Sequence, residues 1–327
     1  MPIMKTPIKF QPILKQRVWG GTRLLSKASA KVNLPIGESW EIADLPDNSN
    51  IITTGKYAGK TFHEMFTACR EYLLGDLRKA VDDDFFPLML KLLDSADDLS
   101  LQVHPDDSVA QRHHGKTAKG KHEAWFILEA MPEAEFYYGL ASPFTKDSFL
   151  DALKNGNFDI VYNTVQIKAG DYIDVPPGTI HGIGKGVLLA EIQEASDITY
   201  RLYDWNRQPA RKLHIDEALD SIVFIQNKMD AFSSVNAFSE TGDLCLLKND
   251  KFTVDRLWLR ENEPFVKKTL DRSFHIVLPV EGAIEIEAAG ESMVLKNLET
   301  CLVPAAAGCY TMLSRFSRGS VLVFTMT

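Results

Sequence analysis

Short runs of alternating apolar and polar residues fill the last quarter of the chain. From Asp243 onward these runs are rich in β-branched and aromatic residues, and turn-forming residues separate them. Alternation with period two is typical of half-buried strands, and many short strands at regular spacing are typical of a β-sandwich or barrel. The pattern therefore predicts an all-β C-terminal domain. Its predicted strands occupy 252–259, 275–280, 283–287, 292–295, 300–303, 309–313 and 321–325.

Apolar residues at three- and four-residue spacing predict a few helices in the first two thirds. In the first such stretch the recurring residues are Phe62, Met65, Phe66, Cys69, Tyr72 and Leu73. Thr61 and Glu64 form the capping-box pattern that opens a helix at this point. Shorter helical patterns occupy 144–153 and 215–222, whereas 106–120 is predicted to be a polar loop.

One predicted strand, which Pro105 ends, has a polar face. Its alternating residues are Leu99, Leu101 and Val103 on one side and Ser100, Gln102 and His104 on the other. Successive side chains of a strand point to opposite faces, so the three polar residues lie together. Such a face is either exposed to solvent or lines a pocket.

The most rigid predicted turn follows a strand at 172–175. Pro176 and Pro177 fix the backbone dihedral that a turn needs, and Gly178 supplies a conformation that other side chains disfavour. His181 begins the return strand, so its side chain projects from a fixed backbone, as a metal ligand requires.

A weaker copy of this strand, proline and turn lies at 298–309, around Pro304, and no histidine follows it. The two halves of the chain therefore look like unequal copies of one architecture. Two unrelated β domains are the alternative.

Four side chains in the first two thirds of the chain have the character of metal ligands. Gln102 and His104 are two residues apart on one predicted strand, Glu123 opens the next, and His181 follows the rigid turn. Two imidazoles, a carboxylate and an amide oxygen suit zinc and leave a position for water or substrate. The two histidines with the carboxylate alone would also suit non-haem iron, so both metals stay open on the residues themselves.

Composition restricts the class of protein further. The chain has 327 residues, of which 45% are hydrophobic, so it can bury a core of domain size. A net charge of −8 without long runs of one sign argues against nucleic-acid binding. Four cysteines without a close pair favour reduced thiols, and no stretch has the length of a membrane span or an export signal. We expect a cytoplasmic protein.

Several motifs, taken in order, resemble those of one enzyme family. They are Gln102-Val-His-Pro-Asp106, Lys121-His-Glu123, Val175-Pro-Pro-Gly-Thr-Ile-His181 and Glu191-Ile-Gln-Glu-Ala-Ser-Asp-Ile-Thr-Tyr-Arg201. Together they resemble the type I mannose-6-phosphate isomerases in their short bacterial form, and the likeness runs over most of 8–207. The pattern from Gly170 to His181 is also the second motif of the cupin superfamily, to which these enzymes belong.

The resemblance implies a mainly β fold with two cupin-type jelly-roll β-barrel domains, the second one degenerate, and a few short helices packed beside the first. A polar connector at 226–242 separates the two expected domains. These are a catalytic domain at 1–235 and a smaller C-terminal domain at 236–327 without a metal site.

The resemblance also implies an activity, the interconversion of mannose 6-phosphate and fructose 6-phosphate with one Zn²⁺ per chain. The zinc ligands would be His104, Glu123 and His181, with Gln102 as the fourth. Arg201 would be the active-site arginine, and Lys121 would be a lysine facing the phosphosugar. These residue types suit the reaction, because a metal and fixed cations stabilise the negative charge of an enediolate.

The sequence leaves three questions open. The proton carrier is Lys121, Glu191 or zinc-bound hydroxide. Two other functions compete with the isomerase, namely a non-haem iron cupin oxygenase and a non-catalytic sugar-binding cupin. The oligomeric state has no signal in the sequence.

Overall fold

The fold is mainly β in the computed structural model, which describes residues 4–27, 34–79, 81, 84–225, 232–234, 242–315 and 317–327. Over these residues the strands form antiparallel sheets and the α-helices are short, which confirms the predicted fold class. None of the helices in these ranges is long and apolar enough to cross a membrane.

Strands and helices are numbered in chain order. The first strands are β1 Phe10–Gln11, β2 Ile13–Lys15, β3 Glu38–Ile42, β4 Asp44–Leu45, β5 Asn48–Ser49, β6 Ile51–Ile52, β7 Leu88–Ser95 and β8 Leu101–Val103. They are followed by β9 Glu123–Ala130, β10 Glu135–Leu140, β11 Tyr162–Gln166, β12 Asp171–Val175, β13 His181–Ile183, β14 Val187–Glu194, β15 Tyr200–Tyr203 and β16 Phe232–Ser234. The last are β17 Gly242–Lys248, β18 Phe252–Leu259, β19 Phe265–Lys268, β20 His275–Glu281, β21 Ile284–Ala288, β22 Glu291–Leu295, β23 Cys301–Val303, β24 Cys309–Ser314 and β25 Gly319–Met326. The α-helices are α1 Phe62–Leu74, α2 Asp107–His114, α3 Lys146–Lys154 and α4 Ile215–Ser221.

Two groups of eight strands have the same topology. In the first group the sheet orders are β7-β14-β9-β12 and β8-β13-β10-β11, and in the second they are β18-β25-β20-β23 and β19-β24-β21-β22. Replacing β7–β14 by β18–β25 converts one order into the other. Each is the order of a jelly roll, an antiparallel sandwich of two Greek keys. The predicted repeat of one architecture is therefore confirmed.

The pairing register makes the two turns at 176–181 and 304–309 equivalent. Val175, at the end of β12, pairs with Glu123, and Val303, at the end of β23, pairs with His275. A proline follows each valine in the sequence. Glu123 of the first jelly roll therefore corresponds to His275 of the second.

The described chain divides into two compact units that are discontinuous in sequence. One comprises Met1–Ile13, Glu41–Met89 and Asn236–Thr327, and the other comprises Leu14–Trp40 and Leu90–Val235. The predicted domains 1–235 and 236–327 stay a prediction, since the boundary between them lies outside the described residues.

The strand β8 is positioned with its polar side inward. Its apolar residues Leu101 and Val103 belong to a core cluster with Val109 of α2, Phe149 of α3 and Ala218 of α4. Helices thus cover the apolar face of this strand. Because neighbouring side chains alternate, Ser100, Gln102 and His104 face the space between the two sheets.

Most of the predicted elements are confirmed, including the capping box of α1, in which Thr61 and Glu64 bond reciprocally. The loop predicted at 106–120 was wrong, because α2 occupies part of it. This helix buries few apolar residues, and its start is fixed by the Asp106 carboxylate, which accepts a hydrogen bond from the Val109 N–H. The predicted connector at 226–242 lies mostly outside the described residues, but 232–234 within it forms β16.

Candidate metal centre

Three strands bring a carboxylate and two imidazoles together. Glu123 is the first residue of β9, His181 is the first residue of β13, and His104 follows the last residue of β8. One ligand atom from each residue lies within 4.8 Å of the others, and all three side chains are buried. The rigid turn before His181 therefore positions a side chain at this centre, as predicted.

Both imidazoles turn the same nitrogen toward the carboxylate. His104 Nε2 lies 3.3 Å from Glu123 Oε2, and His181 Nε2 lies 3.2 Å from Glu123 Oε1. The opposite nitrogens, both Nδ1, donate to the carbonyl oxygens of Ile198 and Thr179 at 2.9 Å. A backbone acceptor at Nδ1 fixes the tautomer in which the Nε2 lone pair faces the centre, the arrangement typical of metal-binding histidines.

The hydrogen bonding of the Glu123 carboxylate indicates whether these residues fit a metal. Both oxygens are fully buried, and neither accepts a hydrogen bond of normal geometry from the described residues. The Lys121 ammonium lies 2.5 Å from Oε2 and forms an ion pair without that geometry. A buried carboxylate without hydrogen bonds is costly unless another positive group satisfies it, so the centre fits a divalent cation.

The protonation states agree with this fit. Burial by itself raises the pKa of Glu123, but the charge of Lys121 and the neighbouring His104 outweigh it and hold this pKa well below its usual range. Burial lowers the pKa of His181 to about 3, and burial with the Lys121 charge lowers the pKa of His104. The centre is thus one carboxylate with two neutral imidazoles, the form that binds metal.

Gln102 lies at the edge of this centre. It pairs across the sheet with His181, and its side-chain amide nitrogen is 3.2 Å from His181 Nε2. Rotation of the amide by half a turn would present the oxygen, which is the atom a metal takes. The structure therefore brings all four predicted ligands together.

Comparisons with known proteins agree with the geometry. Residues 8–124 match the family described as "Phosphomannose isomerase type I, catalytic domain". The chain is 38% identical over 220 residues to mannose-6-phosphate isomerase ManA of Bacillus subtilis, which covers 66% of this chain and 68% of that protein. It is 32% identical over 307 residues to mannose-6-phosphate isomerase of Streptococcus mutans, covering 90% of this chain and 93% of that protein.

The chain belongs to the type I phosphomannose isomerase family. A crystal structure of mannose 6-phosphate isomerase from Bacillus subtilis is similar over 98% of this chain and 99% of that one, with a TM-score of 0.84 and 28% identity. The resemblance found in the sequence motifs therefore extends over nearly the whole fold.

Two further family motifs supply charged side chains beside the centre. The Lys121 ammonium is 3.2 Å from His104 Nε2 and 3.7 Å from the Glu191 carboxylate. Burial would lower the pKa of Lys121, but Glu123 and Glu191 raise it above its usual range. Burial raises the pKa of Glu191, which the charges of Lys121 and Lys91 partly oppose.

Arg201 lies in line with two of the predicted ligands. The cross-strand partners His181, Gln102 and Arg201 form one row over β13, β8 and β15. The guanidinium donates from Nε to Ser100 Oγ at 3.3 Å and from Nη1 to the Lys212 carbonyl at 2.8 Å. Within the described ranges its Nη2 has no hydrogen-bond partner, so this nitrogen is available to a ligand.

Sequence reasoning gave no role to two buried charges near the centre. Lys91 of β7 lies 3.4 Å from Glu191 and 4.0 Å from Asp197. Glu38 of β3 accepts hydrogen bonds from Arg17 at 2.6 Å and from the indole of Trp40 at 2.7 Å. For Lys91 the available signal was a lone charge inside an otherwise apolar run, because a buried lysine needs a partner. Glu38 had no such signal, since its strand contains a serine and a second glutamate, Glu41.

Proposed function

We propose that this protein is a zinc-dependent mannose-6-phosphate isomerase that interconverts mannose 6-phosphate and fructose 6-phosphate. The observation that carries the proposal is the buried triad of His104, Glu123 and His181, with neutral imidazoles and an ionised carboxylate, in a chain of this family. The retained triad argues against a non-catalytic sugar-binding protein. Gln102 in place of a further histidine favours the isomerase over a cupin oxygenase.

Zinc is the metal that this ligand set fits. His104, Glu123 and His181 would hold it, and Gln102 would supply the fourth ligand. Bound there, zinc would act as a Lewis acid toward the negative charge that develops on the enediolate oxygens.

The chain's own cations serve the phosphosugar. Arg201 offers Nη2 of a guanidinium whose other nitrogens are anchored, so a phosphate or enediolate oxygen meets a fixed donor. The Lys121 ammonium is fixed by Glu123 at the same centre. Because the whole chain has a net charge of −8, local cations must attract the anionic substrate.

We assign proton transfer between the two carbons to the pair of Lys121 and Glu191. The two groups are 3.7 Å apart and both are buried, so the charge of each shifts the pKa of the other. Near neutral pH, removal of a proton from the carbon beside a carbonyl needs a base whose pKa lies above the ordinary carboxylate range. Glu191 has such a raised pKa.

Metal replacement and one ligand substitution test the function. Protein loaded with Zn²⁺ should convert mannose 6-phosphate to fructose 6-phosphate, and a chelator should abolish turnover until zinc is restored. His181→Ala should lose both bound zinc and turnover, whereas His113→Ala, at an exposed histidine of α2, should keep both. Full turnover by Glu123→Ala would remove this assignment of the centre.

A further inference from the structure

Arg201 lies on β15, which is the last strand at one edge of its sheet. The main-chain groups that an edge strand turns outward normally lack a partner within the sheet. In this structure one residue binds both outward groups of Arg201. His214 Nδ1 accepts the Arg201 N–H at 3.1 Å, and the His214 N–H donates to the Arg201 carbonyl at 2.8 Å. The imidazole nitrogen replaces the carbonyl oxygen that a neighbouring strand would provide.

The same segment also holds the arginine side chain. The carbonyl of Lys212 accepts from Arg201 Nη1 at 2.8 Å. Because the main-chain groups of Arg201 point toward His214, its pairing with Gln102 is of the non-hydrogen-bonded type, in which the side chains approach most closely. Residues 212–214 therefore determine where the guanidinium lies relative to Gln102.

Among the described residues, the Arg201 N–H is the hydrogen-bond partner found for the His214 imidazole. The residue is the N-cap of α4, yet its side chain makes no capping hydrogen bond, and histidine is not among the residues preferred there. Arg201, Tyr200, Lys212, Glu217 and His114 are the titratable groups around it. Burial and then the Arg201 charge lower the pKa of His214, which leaves the Nδ1 lone pair free to accept.

We infer that His214 is a positioning residue for the reaction, which holds Arg201 in register with Gln102 through an acceptor at Nδ1. The inference rests on the proposed role of Arg201 as the cation that binds substrate. The chemistry predicts that any neutral acceptor bonded to Cγ can replace the imidazole. Asparagine places its carbonyl oxygen at that atom position, glutamine places it one bond farther away, and alanine has none.

Three substitutions of His214 in the zinc-loaded protein test whether an acceptor is needed at the position of Nδ1. His214→Ala should lower kcat/KM for mannose 6-phosphate about 10- to 100-fold, since displacement of a positioning group by about 1 Å costs this much. His214→Asn should stay within about threefold of the unchanged protein, and His214→Gln should resemble the alanine variant. Zinc content should stay at one per chain in all three. His113→Ala, which removes an exposed imidazole from α2, should leave kcat/KM unchanged.

Amide hydrogen exchange gives a second readout that needs no turnover. The Arg201 amide should exchange faster in His214→Ala and recover its protection in His214→Asn. Unchanged turnover in His214→Ala, or equal loss in the alanine and asparagine variants, would overturn the inference. If the alanine variant does not fold, the asparagine and glutamine variants carry the same comparison. Absence of isomerase activity in the unchanged protein would overturn the proposed function. The exchange measurement would still test whether His214 holds the main chain of Arg201.

Discussion

Arg201 Nη2, which has no hydrogen-bond partner among the described residues, gives a prediction for a single residue. Arg201→Ala should leave zinc bound, because the guanidinium contacts Ser100 and Lys212 and no metal-binding atom among the described residues. Turnover should fall by at least about 100-fold, the usual cost of removing a fixed donor from developing negative charge. Zinc content by atomic absorption and kcat by a coupled assay measure the two effects.

Arg201→Lys is the matched variant, since it keeps the charge and loses the planar fork. A lysine cannot bond Ser100 and Lys212 while it presents a third donor, so turnover should lie between that of the unchanged protein and that of the alanine variant. Loss of zinc from Arg201→Ala would mean that the arginine supports the metal centre and not the substrate.

Among single residues, the sequence predicted those that a nearby strand or turn pattern places. It missed those whose role depends on partners that are distant in the sequence. His104, Glu123 and His181 each follow a strand or turn signal that fixes their direction. Lys91 and Glu38 have no such signal, since their ion-pair partners Glu191 and Arg17 are distant in the sequence and come close only in the folded chain. A strand pattern gives the face of a side chain but not what lies opposite to it.

The turn between β12 and β13 gives a prediction for an element. Gly178 has a φ of +83°, and a Cβ there would meet Val223 Cγ2 at 2.5 Å and the Ser221 carbonyl at 2.9 Å. Gly178→Ala should therefore destabilise the fold by about 1–3 kcal/mol and weaken zinc binding, because the turn carries His181. Urea unfolding of the metal-free protein and a zinc titration measure the two changes.

Gly156 provides the control for this substitution. Its φ is +71°, and a Cβ there would have no neighbour within 4 Å. Gly156→Ala should therefore carry only the conformational cost, with zinc affinity unchanged. Equal zinc affinities for the two alanine variants would contradict the role of the turn in placing His181.

The elements were predicted well where a pattern was long and repetitive. The strand predicted at 252–259 coincides with β18, and the capping box of α1 is at the predicted residues. The helix α2 was missed because only Val109 and Ala110 are buried in it, so its apolar periodicity is too weak to recognise. The edge strands β17 and β19 were missed as well, because β17 has one buried residue and β19 has none, so neither shows an alternating apolar face in the sequence.

Over the whole molecule one topology serves two kinds of chemistry. The position that Glu123 occupies in the first jelly roll belongs to His275 in the second, where Nδ1 shares a hydrogen bond of 2.9 Å with the Tyr310 hydroxyl. After Pro304 a short 3-10 helix precedes β24, and Cys309 at its start is exposed. The repeated sheets thus give both halves the same strand order, while residues at the strand ends decide which half could hold a metal.

The buried His275 has a consequence for stability in acid. Burial and the Lys267 charge lower its pKa from 6.5 to about 3, so between these values the unfolded chain binds a proton that the folded chain does not. Its contribution to the free energy of unfolding is therefore complete above pH 6.5 and is lost as the pH falls toward 3, at about 1.4 kcal/mol per pH unit. His275→Asn, which cannot titrate, should make urea unfolding of the metal-free protein less dependent on pH over this window.

Tyr310→Phe is the control for this substitution. It should lower stability by a constant amount, since it removes the hydrogen bond and keeps the imidazole. Parallel curves for the unchanged protein and His275→Asn would show that the histidine is already charged in the folded state.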